Sequence, residues 1–175
     1  MADQVAATKF EVRYEPGADL PILVDHLMAT TIESGIYLSM ATLVPAKTDG
    51  REASVQATLF LPVSAIEALF NLTSDVRRHL GGGHPEMKGD AVALRHDLPR
   101  SDVPQLANFF NCNGTPDGVV LSVGRQSAGT PNLGVIFASY HMTIGTLLQL
   151  HWLVEKLVGL IRRPQGFAEG PPTQQ

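Results

Sequence analysis

The chain has 175 residues, 44% of them hydrophobic and 17% charged, with a formal net charge of −4. That is enough apolar material for a real core, in one domain or two small ones, and the acidic balance excludes a general electrostatic pull on nucleic acid or anionic lipid. A single cysteine, Cys112, excludes an intrachain disulfide and fits a reducing compartment.

Residues 1–9 lack the basic-then-apolar order of a secretory leader and read as a flexible N-terminus. Residues 10–14 alternate apolar with polar and predict a strand. Residues 22–32 are β-branched and apolar and read as a second strand, although Leu23, His26 and Leu27 also fit a helical period. The turn Glu33-Ser34-Gly35 leads into a strand at 36–44. After a loop rich in turn chemistry, 53–61 alternates again, with Val55, Ala57, Leu59 and Leu61 on one face. A helix is predicted from Ser64, because Ser64 and Glu67 have capping-box spacing and Ile66, Leu69, Phe70, Thr73 and Val76 recur at helical intervals. Arg77 and Arg78 sit at its C-terminal end, where cations oppose the helix dipole favourably. Residues 81–90 open with three glycines and read as a linker.

The same order then repeats, with strands near 92–97, 105–112, 119–125 and 133–142 and a helix capped by Thr143. Pro21 aligns with Pro104 and Gly35 with Gly118 without a gap, so Leu23 meets Leu106 and Asp25 meets Asn108. Ile36-Tyr37-Leu38-Ser39-Met40 meets Val119-Val120-Leu121-Ser122-Val123. Further on, Val55, Ala57 and Leu61 meet Ile136, Ala138 and Met142, and Ile66, Leu69, Leu72 and Val76 meet Leu147, Leu150, Leu153 and Leu157. The register changes fall only in loops, where length changes cost little. The expected fold is therefore α+β: a tandem duplication of a ββββα unit, with antiparallel sheets and one helix per unit packed on them. The units span 10–80 and 91–163, and a disordered tail follows at 164–175.

The two helices differ. The first keeps a polar face through Glu67, Asn71, Asp75, Arg77 and Arg78. The second is apolar on most sides, so it must be covered on more than one. No stretch reaches the roughly 20 apolar residues of a membrane span, and 144–161 carries Gln149, His151, Glu155 and Lys156. The cover is expected to be the first unit or another subunit. A homo-oligomer or another protein is the expected partner, a cytoplasmic location is expected, and nucleic acid and membrane are not expected as partners. Leu148, Trp152, Glu155 and Leu160 are the candidate protein-interface residues, since apolar anchors and tryptophan above all dominate such surfaces.

Candidate chemistry is sparse. Asp25 and His26 could form an oriented base, with His96 as a further member of a ligand site between the units. The second unit has Asn108 and Phe109 instead. His79, His84, His96, Glu86 and Asp97 gather imidazoles and carboxylates, but at no compact metal-ligand spacing. Cys112 has no base or helix N-terminus beside it in the sequence, so a structural thiol is expected. His141 and His151 read as polar edges of an apolar interface. The loop from Gly124 to Asn132 lacks the strand–loop–helix setting and Gly-Lys-Ser/Thr ending of a phosphate loop. No catalytic residue, metal or cofactor is assigned.

The segments Pro21-Ile22-Leu23-Val24-Asp25-His26-Leu27, Ile36-Tyr37-Leu38-Ser39-Met40 and Leu59-Phe60-Leu61-Pro62-Val63-Ser64-Ala65-Ile66 resemble a small bacterial family of uncharacterised domains. In that family a strand carries Tyr-Ala-Asn and another ends in Met-Ser-Pro before a helix. Val24-Asp25 stands here for Ala-Asn, and Leu61-Pro62 stands near Ser-Pro. The likeness implies a fold and no catalytic residues. The order of four strands then a helix also resembles the bacterial export chaperone SecB, whose assemblies offer apolar grooves to unfolded chains. With an apolar second helix and none of the recognisable chemical motifs present, the expectation is a non-enzymatic protein-binding or assembly module. The alternative is a small-molecule binder or enzyme with a site between the units.

Overall fold

Each half of the chain folds into the same run of elements, and each half lends its first strands to the other. The computed structural model describes residues 9–46, 50–80 and 91–161. The first half comprises β1 (Glu11–Tyr14), β2 (Ile22–Leu23), β3 (His26–Ile32), β4 (Gly35–Val44), β5 (Arg51–Pro62) and α1 (Val63–Leu80). The second comprises β6 (Val92–Arg95), β7 (Gln105–Leu106), β8 (Phe109–Thr115), β9 (Gly118–Gln126), β10 (Leu133–Met142) and α2 (Ile144–Ile161). The expected α+β duplication is present. The linker, the tail, the first eight residues, and with them His84 and Glu86, lie outside the described residues.

In each half three consecutive strands form an antiparallel meander, β3-β4-β5 and β8-β9-β10. The remaining strands cross over. β1 and β2 add in parallel to β10, while β6 and β7 add in parallel to β5. The sheets are therefore mixed, and each is completed by the other half. This exchange splits the single strand expected at 22–32. β2 belongs to one sheet and β3 to the other, with Val24 as the crossing residue. The Val24 N–H donates to the His141 carbonyl and the Asp25 N–H to Ala41, at 2.9 and 3.2 Å. The second half repeats this at 2.9 and 3.1 Å, from Ala107 N–H to Phe60 and from Asn108 N–H to Gly124. Val24 and Ala107 are fully buried, as small apolar residues between two sheets should be.

The repeat reaches fine detail. β5 bulges at Gln56 and β10 at the aligned Phe137, each extra residue bending its strand and curling its sheet. Sheet curvature brings opposite edges together in the second sheet, where Phe10, just before β1, stacks on Phe109 of β8 with centroids 5.4 Å apart. Gly35 and Gly118 open β4 and β9. A Cβ on either would lie 2.1 or 2.2 Å from the carbonyl oxygen of Leu61 or Met142, so only glycine lets the strands approach.

β5 runs straight into α1, so the helix starts at Val63. The capping position falls on Pro62, and Ser64 lies inside the first turn rather than at the cap. At the aligned position Thr143 does cap α2: its hydroxyl accepts from the Thr146 N–H at 3.2 Å. Cys112 sits in the middle of β8, which runs three residues past the expected end. It is half-buried, and burial pushes its thiol pKa up, which leaves an inert thiol.

A main core runs through the molecule, with a small separate cluster of Ala41, Ala53 and Val55 at the far end of β4 and β5. The main core joins Leu38, Leu59 and Leu61 of the first meander to Leu121, Val123 and Met142 of the second, with Ile66 and Leu69 of α1 and Leu150 and Val154 of α2. The helices pack on each other, and each also lies against the other half's sheet edge, α1 on β8 and α2 on β3. Among the described residues α2 is the one helix long and apolar enough to cross a membrane. Its buried face is covered by α1 and β3, within the chain.

Candidate functional site

The residues with chemical potential fall into three places. The first is the crossing at Val24–Asp25. The Asp25 carboxylate accepts from the Leu43 N–H at 2.7 Å and so closes the gap left where the chain changes sheets. Asn108 does the same in the second half: its carbonyl accepts from the Gln126 N–H at 2.7 Å and its amide donates to the Gln126 carbonyl at 3.0 Å. Leu43 and Gln126 are aligned positions in the repeat. Asp25 is thus a structural latch. His26 opens β3 opposite Ala41, half-buried, and burial lowers its pKa against the pull of Asp25. His96 follows β6 on the other edge of that sheet and is exposed, with Nδ1 3.4 Å from the Ser101 hydroxyl. Among the described residues no hydrogen bond joins any two of Asp25, His26 and His96. Nor do three or more His, Cys, Asp or Glu side chains converge on one point among those residues.

The second place is the seam between the helices. His151 of α2 is buried there and stacks on Phe70 of α1, its aligned partner in the repeat, with centroids 5.5 Å apart and planes 15° apart. Arg77 reaches Nε2 of His151 at 3.2 Å, and Thr73 reaches Nδ1 at 3.0 Å. A guanidinium only donates, so Nε2 must accept. The Thr73 hydroxyl donates to the Phe70 carbonyl at 3.1 Å, so it accepts the Nδ1 proton. That pattern fits a neutral imidazole protonated at Nδ1. Burial is the main reason its pKa falls below the ordinary value; Glu155 pulls it up and Arg77 pushes it further down. His151 therefore sits at the edge of an apolar interface, and that interface is internal.

The third place is the surface of α2 and the grooves beside it. Leu148 and Trp152 are half-buried, and Glu155 is exposed. These three share one stripe, and the Lys156 ammonium lies 4.1 Å over the Trp152 ring. Leu160, 57% exposed, lies roughly a third of a turn from Leu148 at 3.6 residues per turn. The four candidate interface residues thus divide between two faces. Leu160 belongs to an apolar groove of about 250 Å³ with Leu157, Ile161, Ile32, Ile36 and Val63, set where the end of α2 passes the β3–β4 turn. The aligned groove at the end of α1 has Val76, His79, Leu80, Gly114 and Val119, with a volume of about 350 Å³. Ile32, Ile36, Val63 and Ile161 were not singled out from the sequence. Ile32 and Ile36 stand where the second copy has the polar Thr115 and the smaller Val119, a faint signal, whereas Val63 and Ile161 align with the equally apolar Ile144 and Leu80 and gave none.

The chain matches no family model, no curated protein and no solved structure.

Proposed function

We propose that the chain is a non-enzymatic protein-binding module, a pseudo-dimer within one polypeptide that takes an extended apolar segment of another protein along β3. The observation that carries this reading is the coincidence of an edge strand, against which α2 packs, with the apolar groove of Leu157, Leu160, Ile161, Ile32, Ile36 and Val63 between them. β3 is an edge strand, so its outward backbone groups offer a ladder to an added strand, and a groove beside it takes alternate side chains. The resemblance to SecB, in element order and the apolar second helix, is the ground for proposing a chaperone or adaptor role. The engagement of Asp25 with a backbone N–H weighs against acid–base chemistry at that residue.

The test is binding of extended apolar peptides to the intact chain, followed by NMR. Amides of β3 and side chains around Leu160 should shift together, and Leu160→Asp should abolish binding while the fold persists. Peptide binding that leaves β3 unmoved, or that survives Leu160→Asp, would overturn the reading. Light scattering separates a client from a second copy, because self-association through this groove would show a concentration-dependent mass that Leu160→Asp removes.

A further inference from the structure

A cleft of about 410 Å³ lies where the halves interlock, lined by Glu15 after β1, Arg125 of β9, Phe137 of β10, Arg100 of the segment leading into β7, and Gln105 and Leu106 of β7 itself. We infer that this cleft binds a small monocarboxylate with an apolar body, held by Arg100 and Arg125. Three observations carry the assignment.

The first is backbone geometry. Arg100 is the one non-glycine described residue with positive φ, at 63°. Gly17 holds the aligned position in the first half with φ 80°. Left-handed backbone is strained for an arginine and free for a glycine. The second half thus places a guanidinium where the fold itself asks for glycine, and strained residues of this kind collect where a side chain must be aimed.

The second is charge. Arg125 pairs with Glu15 at 2.6 Å, while none of the ion pairs found among the described residues engages Arg100. Two guanidinium charges against one carboxylate leave one positive charge facing the cleft. That matches a monoanion better than a dianionic phosphate. Arginine's planar fork suits a carboxylate, and the Gln105 amide can add a donor.

The third is asymmetry. At the positions aligned with Arg100, Gln105 and Arg125, the first half has Gly17, Ile22 and Thr42. The polar donors appear in one copy only, on a scaffold shared by both. Leu106 and Phe137 supply an apolar wall, and the volume is that of a small-ligand site. This inference is independent of peptide binding at β3.

The test uses the full chain and three probes, benzoate, its neutral isostere benzamide, and inorganic phosphate, followed by amide shifts in NMR titrations. Benzoate should shift Gln105, Leu106 and Arg125 saturably, and benzamide should not. Phosphate should bind more weakly than benzoate. Arg100→Gly restores the residue that the backbone favours, so it should fold at least as well as the parent and weaken benzoate roughly tenfold or more, the loss expected for a charge-assisted hydrogen bond. Arg125→Thr, the aligned residue of the first half, should weaken it comparably; should that variant unfold, Arg125→Gln gives the same reading. Equal binding of benzamide, tighter binding of phosphate, unchanged affinity in folded Arg100→Gly, or no saturable shift at these amides would each overturn the inference.

Discussion

The two halves agree where the backbone must be built and part where side chains face each other or solvent. The agreement is close. Gly35 and Gly118 meet the same carbonyl positions, the bulges fall on aligned residues, and Asp25 and Asn108 latch aligned amides. The differences are concentrated. His151 faces Phe70 across the helix seam, Trp152 and Leu148 stand where α1 has Asn71 and Glu67, and Arg100 stands where the first half has Gly17. Shared positions hold up the fold, and unshared positions carry whatever is specific.

The largest test of that division is at the shared glycines. Gly35→Ala and Gly118→Ala should each cost about 3 kcal/mol, the upper end for forced overpacking, because the opposing atom is backbone and cannot step aside. Urea denaturation measures it, and a cost in one half only would break the symmetry. Next come the latches. Asp25→Ala and Asn108→Ala should each lose about 1–2 kcal/mol, for each leaves a part-buried strand N–H without its acceptor. Asp25→Asn should be nearly neutral, since the second half already uses Asn.

The helix seam supplies a pH dependence of known sign. The folded His151 binds protons less readily than the unfolded chain, whose ordinary value is near 6.5. Its contribution is complete above that value and is lost as pH falls from there through the lowered folded value. The melting temperature should drop over that window, and His151→Phe, which copies Phe70, should flatten the drop. The smallest effect is at Arg100. Arg100→Gly relieves about 1–2 kcal/mol of left-handed strain and gives back up to about 1 kcal/mol in unfolded-chain entropy, so a net gain of about 0.5 kcal/mol is expected in denaturation.

Much of the fold was legible because alternation, turns and helical spacing are local. The strands at 36–44, 53–61 and 133–142 match β4, β5 and β10 within two residues at each end. The exchange was not legible. Nothing in Phe10 to Tyr14 says which sheet the strand joins, because alternation fixes a face and not a neighbour. For the same reason 22–32 read as one strand: the crossing at Val24 looks like any buried valine. The candidate surface on α2 was half legible. Excess apolar surface on α2 was plain from the sequence, but α1 covers part of it, and only the packed structure separates Leu160 in its groove from the Trp152 stripe. His151 was readable as an interface histidine, whereas its partners Thr73 and Arg77 lie more than seventy residues away. Arg100 left no trace in composition or period, since its significance is a backbone angle.

The halves exchange strands within a single chain, and backbone NOEs in a dilute mixture of differently labelled chains report on that exchange. Contacts between Val12 and Gly134 and between Ala93 and Glu52 are expected, all arising inside one molecule. Absence of those contacts, or their appearance only between differently labelled chains, would contradict it.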